Sequence, residues 1–187
     1  MECQPQETAV LIIDGPYAQS LTAGDNGRPR TTLDYMQFID WCFTSAGLAQ
    51  RGHTYYRAQR PWVSLERAGS REANLALYRQ HTFHDALRGP DVQVEVYDNI
   101  KGAISALIAK LLISRQDITH YILVSADSAL SPTVIVARTQ GVYITLIHQE
   151  ERDFSLQHSC DTDQFITTDD LVRMTYTKVA SDQYRTR

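Results

Sequence analysis

The stretch Thr8-Ala-Val-Leu-Ile-Ile-Asp14 decides the fold class of this chain. It is a short, continuous run of apolar and β-branched residues that ends in a carboxylate. Such a run is typical of a strand covered on both faces, as in a parallel sheet with helices on either side. The sequence therefore predicts an α/β fold with this strand inside the sheet.

Four further strand-like segments follow, and helix-like segments alternate with them. The strands are predicted at residues 53–58, 92–97, 119–125 and 142–147. Because strands and helices alternate, we expect a parallel, doubly wound sheet with right-handed crossovers, in the strand order 3-2-1-4-5. The third strand alternates strictly between apolar and polar residues, which predicts a position at the edge of the sheet.

The helices are predicted from apolar spacing and from residues that start or stop a helix. A long polar loop over 15–30 is expected after the first strand, with Thr31 or Thr32 then capping the first helix. The predicted helices are one that ends near Gly52, one over 64–88 with a weaker break at 81–83, one over 100–114 capped by Asn99, one from Pro132 to Gly141, and a short helical tail over 154–174.

Composition is that of an ordinary globular chain. The 187 residues carry a formal charge of −4 and are 43% hydrophobic, which excludes a disordered, collagenous or disulfide-rich protein. We interpret residues 1–187 as a single domain whose core spans about 8–174, with a short N-terminal tail and a polar C-terminal tail.

The sequence also predicts a cytoplasmic protein without a membrane anchor. No apolar run approaches the roughly 20 residues that a membrane helix needs. No basic stretch precedes the first apolar segment, which argues against a signal peptide. Cys3, Cys42 and Cys160 are dispersed and odd in number, which indicates a reducing compartment and no structural zinc site.

An arginine-rich segment lies in the first half of the chain. Residues 51–88 contain seven arginines and three acidic residues, a local charge of +4. One interpretation is a solvated surface; the other is contact with phosphate groups, for which the planar guanidinium is well suited. Tyr55 and Tyr56 precede Arg57 and could stack on a base.

Two carboxylates follow two apolar strands. Asp14 closes the first strand and Asp127 lies just past the fourth. If these strands are neighbours, both acids lie at the carboxyl edge of the sheet, where such folds bind ligands. Two acids there could hold Mg²⁺ or Mn²⁺, with water and a substrate phosphate completing the coordination. The alternative is that each aspartate simply caps the helix that follows it.

Three stretches carry a family resemblance. They are Val10-Leu-Ile-Ile-Asp-Gly15, Asn99-Ile-Lys-Gly102 at the start of a helix, and Val124-Ser-Ala-Asp-Ser-Ala-Leu-Ser-Pro132. In this order they resemble the signatures of the NYN domain, a PIN-like family, and its LabA-like branch in particular. The segments 137–141 and 163–166 fit the helix end and the tail of that pattern, so the resemblance spans roughly residues 8–171.

The resemblance implies a PIN-like α/β/α sandwich around a central parallel five-stranded sheet. It also implies, for members with an intact site, metal-dependent cleavage of RNA phosphodiester bonds. This sequence departs from the pattern, because non-acidic residues stand where the family has acids. The departures are Tyr17 for an Asn, Ile104 and Ala129 for acids, and Lys110 for an acid that is sometimes present.

Two hypotheses follow from the acids that remain. The first is a Mg²⁺- or Mn²⁺-dependent ribonuclease with a weakly held ion, in which Asp14 and Asp127 are both metal ligands and catalytic residues. Asp25 or Asp98 would then be the third ligand. The second is an inactive module that binds RNA or a protein partner at the same edge. The residues expected to contact the substrate are Ser125, Ser128, Tyr17, Lys101 and Arg57. A homodimer through the edge strand is a further hypothesis.

Overall fold

The architecture is given by a computed structural model, which describes residues 8–22, 31–49, 51–60, 69–149 and 154–177. The first strand forms as the opening stretch predicts, and it is buried along nearly its whole length. In chain order the elements are β1 (Thr8–Asp14), α1 (Gly15–Ser20), β2 (Thr31–Leu33), α2 (Tyr35–Ser45), β3 (His53–Gln59), α3 (Arg71–Leu87), β4 (Val92–Tyr97), α4 (Ile100–Ser114), β5 (Ile118–Val124), a 3-10 turn (Ser128–Leu130), α5 (Ser131–Thr139), β6 (Tyr143–His148), α6 (Phe154–Ser159), β7 (Thr162–Phe165), α7 (Thr168–Arg173) and β8 (Thr175–Thr177).

Within the described residues the central sheet is parallel and has six strands in the order β4-β3-β1-β5-β6-β7. The five predicted strands are present in the predicted relative order, and β4 lies at the edge as expected. The prediction of five strands was wrong because β7 forms where a helical tail was expected. This strand has four mostly exposed residues, so it carries no apolar alternation, and only its pairing with β6 defines it.

A second, two-stranded antiparallel sheet joins β2 to β8, the last element of the described chain. The helices cover both faces of the central sheet, in an α/β sandwich. Successive residues of a strand point to opposite faces, so β1 contributes to two cores. Ile13 packs with α2 on one face, and Ile12 packs with α4 and α5 on the other.

The segment after β1 differs from the prediction. Instead of a loop from residue 15, helix α1 begins directly after β1, with Pro16 in its first turn, where proline is tolerated. Residues 23–30 of the predicted loop lie outside the described residues. The predicted cap at Thr31 or Thr32 was wrong, because both lie in β2; Asp34 caps α2 by accepting hydrogen bonds from the amides of Met36 and Gln37.

Helix α2 ends at Ser45, near Gly47 with its φ of +78°, and not at the predicted Gly52. A side chain at Gly52 would lie 1.8 Å from the carbonyl oxygen of Ala9, so this glycine permits close approach to β1. The predicted break at 81–83 was also wrong, because α3 continues through it; residues 64–68 of that prediction are not described. The predicted cap at Asn99 and the position of Pro132 in the first turn of a helix are confirmed. That helix, α5, ends at Thr139, two residues before the predicted Gly141, whose φ is +85°.

None of the helices in the described ranges is long and apolar enough to cross a membrane.

Candidate functional site

The carboxyl edge between β1 and β5 collects the polar residues of the predicted site. The two strands are parallel neighbours, with Ile13 beside Val124, so the residues that follow them emerge side by side. Within the sheet, β3 lies next to β1 on one side and β5 lies next to β1 on the other. This edge is therefore the position at which the strand order reverses, the usual ligand-binding position of open α/β sheets.

Asp14 is buried, with 6% of its surface exposed, and both of its carboxylate oxygens accept hydrogen bonds. The amide of Tyr17 donates to Oδ1 over 3.2 Å, and the Ser125 hydroxyl donates to Oδ2 over 3.3 Å. Burial raises the pKa of Asp14, and the charge of Asp127 raises it further, against the opposing effect of these two hydrogen bonds and of Lys101. The Tyr17 hydrogen bond makes Asp14 the N-cap of α1, which is the capping role that the sequence left open. A buried carboxylate with a raised pKa is also a feature that is common at functional sites.

Ser125 connects the two acids. Its hydroxyl is fully buried, donates to Asp14 and accepts a hydrogen bond from the backbone amide of Asp127 over 3.2 Å. Ser125 therefore holds Asp14 and the Asp127 backbone together, and its complete burial leaves it no exposed surface for the predicted substrate contact. Ser128, the other serine of the predicted site, begins the 3-10 turn and is half-buried beside Asp127.

The two carboxylate oxygens of Asp127 differ in their hydrogen-bond and ion-pair partners. Oδ1 accepts a hydrogen bond from the amide of Ala129 over 3.1 Å, which is the capping role that the sequence left open, and also lies 3.1 Å from the ammonium of Lys101. Oδ2 is buried and has no hydrogen-bond partner among the described residues. A buried carboxylate oxygen without a partner is costly, which makes this atom a candidate for contact with a ligand.

Lys101 extends from the first turn of α4. Its side chain is 62% exposed, whereas that of Asp127 is only 14% exposed, so the ion pair lies at the mouth of the site. The ammonium is thus accessible to a substrate, as the prediction for Lys101 requires.

Tyr17 and Arg57 lie at the same edge but point elsewhere. The Tyr17 backbone contributes its amide to Asp14, while its hydroxyl accepts a hydrogen bond from the Gln149 amide over 2.8 Å and so links α1 to the end of β6. Arg57 is 3% exposed; its guanidinium pairs with Glu95 and donates to the Tyr97 hydroxyl over 2.9 Å. This buried guanidinium cannot reach a phosphate without breaking those contacts.

Most arginines of the basic segment are engaged in ion pairs, which favours the first interpretation of that segment. Arg51 pairs with Asp40, Arg57 with Glu95, Arg60 with Asp98 and Arg88 with Asp85. Arg67 lies outside the described residues. Arg71 and Arg79 are both exposed on α3 and form no ion pair within the described ranges.

The third metal ligand of the prediction is not provided by the described residues. Asp25 lies outside them, and Asp98 is held by Arg60 over 3.3 Å. Ile104, where the family has an acid, is completely buried in the core under α4, and Lys110 is exposed. In the parts of the chain that the structure describes, no group of three histidine, cysteine or acidic side chains is arranged to hold a metal ion.

The donor set therefore fits a divalent ion poorly as long as Lys101 is in place. Mg²⁺ requires about six oxygen ligands in near-octahedral geometry. Three of the four oxygens of Asp14 and Asp127 already accept protein hydrogen bonds, and Asp127 Oδ1 is also ion-paired. Of these four oxygens, only Asp127 Oδ2 lacks a partner within the described ranges.

Sequence reasoning missed two features of the site. One is the Lys101–Asp127 ion pair, for which the only signal is that the Lys-Gly stretch opens a helix beside β1. The other is Gly15, where a side chain would lie 2.7 Å from the Arg57 carbonyl oxygen and 2.8 Å from the ring of Tyr56. A glycine directly after a strand-ending aspartate was the available signal for that close approach.

No protein-family model and no curated protein matches the chain. Among solved structures, the chain is similar to a protein of unknown function from Vibrio parahaemolyticus. The TM-score is 0.65 at 17% sequence identity, and the likeness covers 90% of this chain and 98% of that chain. At so low an identity the likeness concerns the fold alone.

Proposed function

We propose that this chain is a NYN-like domain that binds RNA at the carboxyl edge of its sheet and retains little or no capacity to cleave it. The observation that carries the proposal is the ion pair between Lys101 and Asp127, which puts an exposed ammonium at the mouth of a buried acidic site. An ammonium there attracts a phosphate and at the same time neutralises a carboxylate that metal-dependent hydrolysis would need.

The positions of the resembling stretches support the family assignment. Residues 10–15, 99–102 and 124–132 are far apart in the sequence, yet Asp14, Lys101, Ser125 and Asp127 form one continuous set of contacts. A resemblance carried by unrelated surface segments would not be expected to converge in this way.

Further positive charge lies beyond the same carboxyl edge of the sheet, on helix α3. The Gln80 side chain donates to the carbonyl oxygen of Gln59 over 3.1 Å, which fixes the middle of α3 at the carboxyl end of β3. Arg71 and Arg79 precede this contact on a helix that rises about 1.5 Å per residue, so they lie on the carboxyl side of it. Both are available to guide the phosphate backbone.

Binding of labelled single-stranded RNA, measured by fluorescence anisotropy in EDTA, tests the proposal. We expect binding that survives EDTA, weakens with salt and leaves the RNA intact. The Lys101→Ala variant is expected to weaken binding and to lower the salt slope by about 0.7, as for one lost phosphate contact on a single strand. Lys110→Ala, which removes an exposed lysine of the same helix, is the control. Absence of RNA binding at low salt, or equal binding by both variants, contradicts the proposal.

The second candidate is a ribonuclease with weakly held Mg²⁺ or Mn²⁺, and one observation favours it. Asp127 Oδ2 is buried and has no partner in the part of the chain that the structure describes, and Asp127 is close enough to Asp14 to raise its pKa. If Lys101 moved aside, Oδ1 would also lose its counterion. Cleavage of RNA that depends on Mn²⁺ and disappears in Asp127→Asn would favour this candidate over pure binding.

A protein partner at the same edge is the remaining alternative. Binding through hydrophobic contact would be nearly independent of salt, whereas phosphate contact is strongly dependent on it. Two further expectations stay predictions. One is a homodimer through β4, and the other is a cytoplasmic location, for which the dispersed cysteines argue.

A further inference from the structure

Lys101 is the cation nearest to the acid pair in the described part of the chain. Its ammonium lies 3.1 Å from Asp127 Oδ1, within ion-pair distance. Its charge also acts on Asp14, where it opposes the effect of burial. One ammonium is therefore shared electrostatically by the two carboxylates that a divalent ion would have to use.

The backbone position of Lys101 is fixed by the start of α4. The Asn99 side chain accepts a hydrogen bond from the Gly102 amide over 3.1 Å and so defines the first helical turn. Ile100 and Ile104 are buried in the same core as Ile12 of β1, which holds that turn against the sheet. The backbone of Lys101 is thus held rigidly, while its exposed side chain keeps the freedom to move.

A divalent ion and Lys101 would compete for the same carboxylate. The ion would need Asp127 Oδ1 as well as the unpartnered Oδ2, and its double charge would repel an ammonium at hydrogen-bonding distance from Oδ1. Binding of the ion therefore includes the cost of displacing Lys101 into water.

We propose that Lys101 is a tethered counterion that occupies the acid pair and sets its affinity for divalent cations. The positive charge of Lys101 substitutes for that of a metal ion, so that Mg²⁺ and Mn²⁺ at low concentration do not bind to the acid pair. This proposal concerns the same site as the proposed function, but cation affinity can be measured without RNA.

The test is the binding of Mn²⁺, followed by electron paramagnetic resonance of the free ion, to the wild type and to Lys101→Gln. A partly exposed ion pair contributes up to about 1 kcal/mol, so removing Lys101 is expected to tighten Mn²⁺ binding about fivefold. Lys101→Arg retains the cation and is expected to bind Mn²⁺ as weakly as the wild type. Lys110→Gln, a charge loss elsewhere on α4, is expected to have no effect.

A second variant locates the ion. Adding Asp127→Asn to Lys101→Gln is expected to abolish the gain, and thermal unfolding should show the same order, because a bound ion raises the melting temperature. Equal Mn²⁺ affinity of Lys101→Gln and the wild type, or a gain that survives Asp127→Asn, overturns the proposal. Loss of RNA binding alone would instead count against the proposed function and leave this inference standing.

Discussion

Replacement of Ser125 by alanine is the sharpest perturbation of the site, because one hydroxyl connects both acids. The substitution removes the donor to Asp14 Oδ2 and the acceptor of the Asp127 amide, both in a fully buried position. A hydrogen bond to a charged group contributes about 1.5–3 kcal/mol and a neutral one about 1 kcal/mol. We therefore expect a loss of about 3 kcal/mol in the free energy of unfolding at neutral pH, or about 6–12 °C in melting temperature.

The loss should depend on pH in a defined direction. The Ser125 hydroxyl favours the ionised form of Asp14 and opposes the rise in its pKa that burial causes. Below the pKa of Asp14 the charged acceptor is absent, so less stability is lost when the hydroxyl is removed. Urea unfolding of the variant and the wild type at about pH 4 and about pH 7.5 measures this difference.

The matched control is Ser114→Ala, which replaces an exposed serine whose hydroxyl donates to the Lys110 carbonyl oxygen of the same helix. It is expected to change stability by about 0.5 kcal/mol or less at either pH. If Ser125→Ala costs no more than this control, or costs the same at both pH values, then Ser125 does not support an ionised Asp14 and the description of the site is wrong.

Three further predictions concern the elements around the site. Gly15→Ala is expected to cost about 1–3 kcal/mol because the added carbon meets the Arg57 backbone at 2.7 Å. Gly102→Ala, whose added carbon would have its nearest neighbour 3.4 Å away, is expected to cost nothing or to stabilise the protein by up to about 1 kcal/mol in chemical denaturation, because alanine favours a helix over glycine. Asn99→Ala removes the cap of α4 and is expected to cost about 1 kcal/mol with an accompanying loss of amide-exchange protection in the first turn. Asp14→Asn is expected to gain stability relative to the wild type as pH rises from about 4. The reason is that the pKa of Asp14 is raised in the folded state, so its ionisation destabilises the folded wild type. A difference in unfolding free energy between variant and wild type that stays constant with pH contradicts the assigned direction.

The sequence contains strong signals for the buried strands and weak ones for short polar elements. β1 and the caps at Asn99 and Gly141 were predictable because apolar runs, cap residues and a positive φ are local properties. β7 was not predictable, since its four residues are mostly exposed and are defined by pairing with β6. The helix α1 was missed because its start, Gly15-Pro16, also fits a turn.

The location of the candidate site could be predicted from the sequence, but its hydrogen bonds and ion pairs could not. The strand order brought Asp14 and Asp127 to one edge, and this followed from the alternation of strands and helices. Whether each carboxylate oxygen was open or already bonded depends on side-chain positions about 100 residues apart in sequence, as with Ser125 and Asp14. The burial of Arg57 likewise depends on Glu95 and Tyr97 of the neighbouring strand, which no local pattern reports.

Hydrogen–deuterium exchange during titration with single-stranded RNA in EDTA tests the central claim most directly, because it reports binding and its location together. We predict increased protection in the first turn of α4, residues 99–103, and in the segment 125–131 that carries Asp127. RNA binding with protection confined to other surfaces, or no change in exchange at either segment, would contradict the assignment of this edge as the functional site.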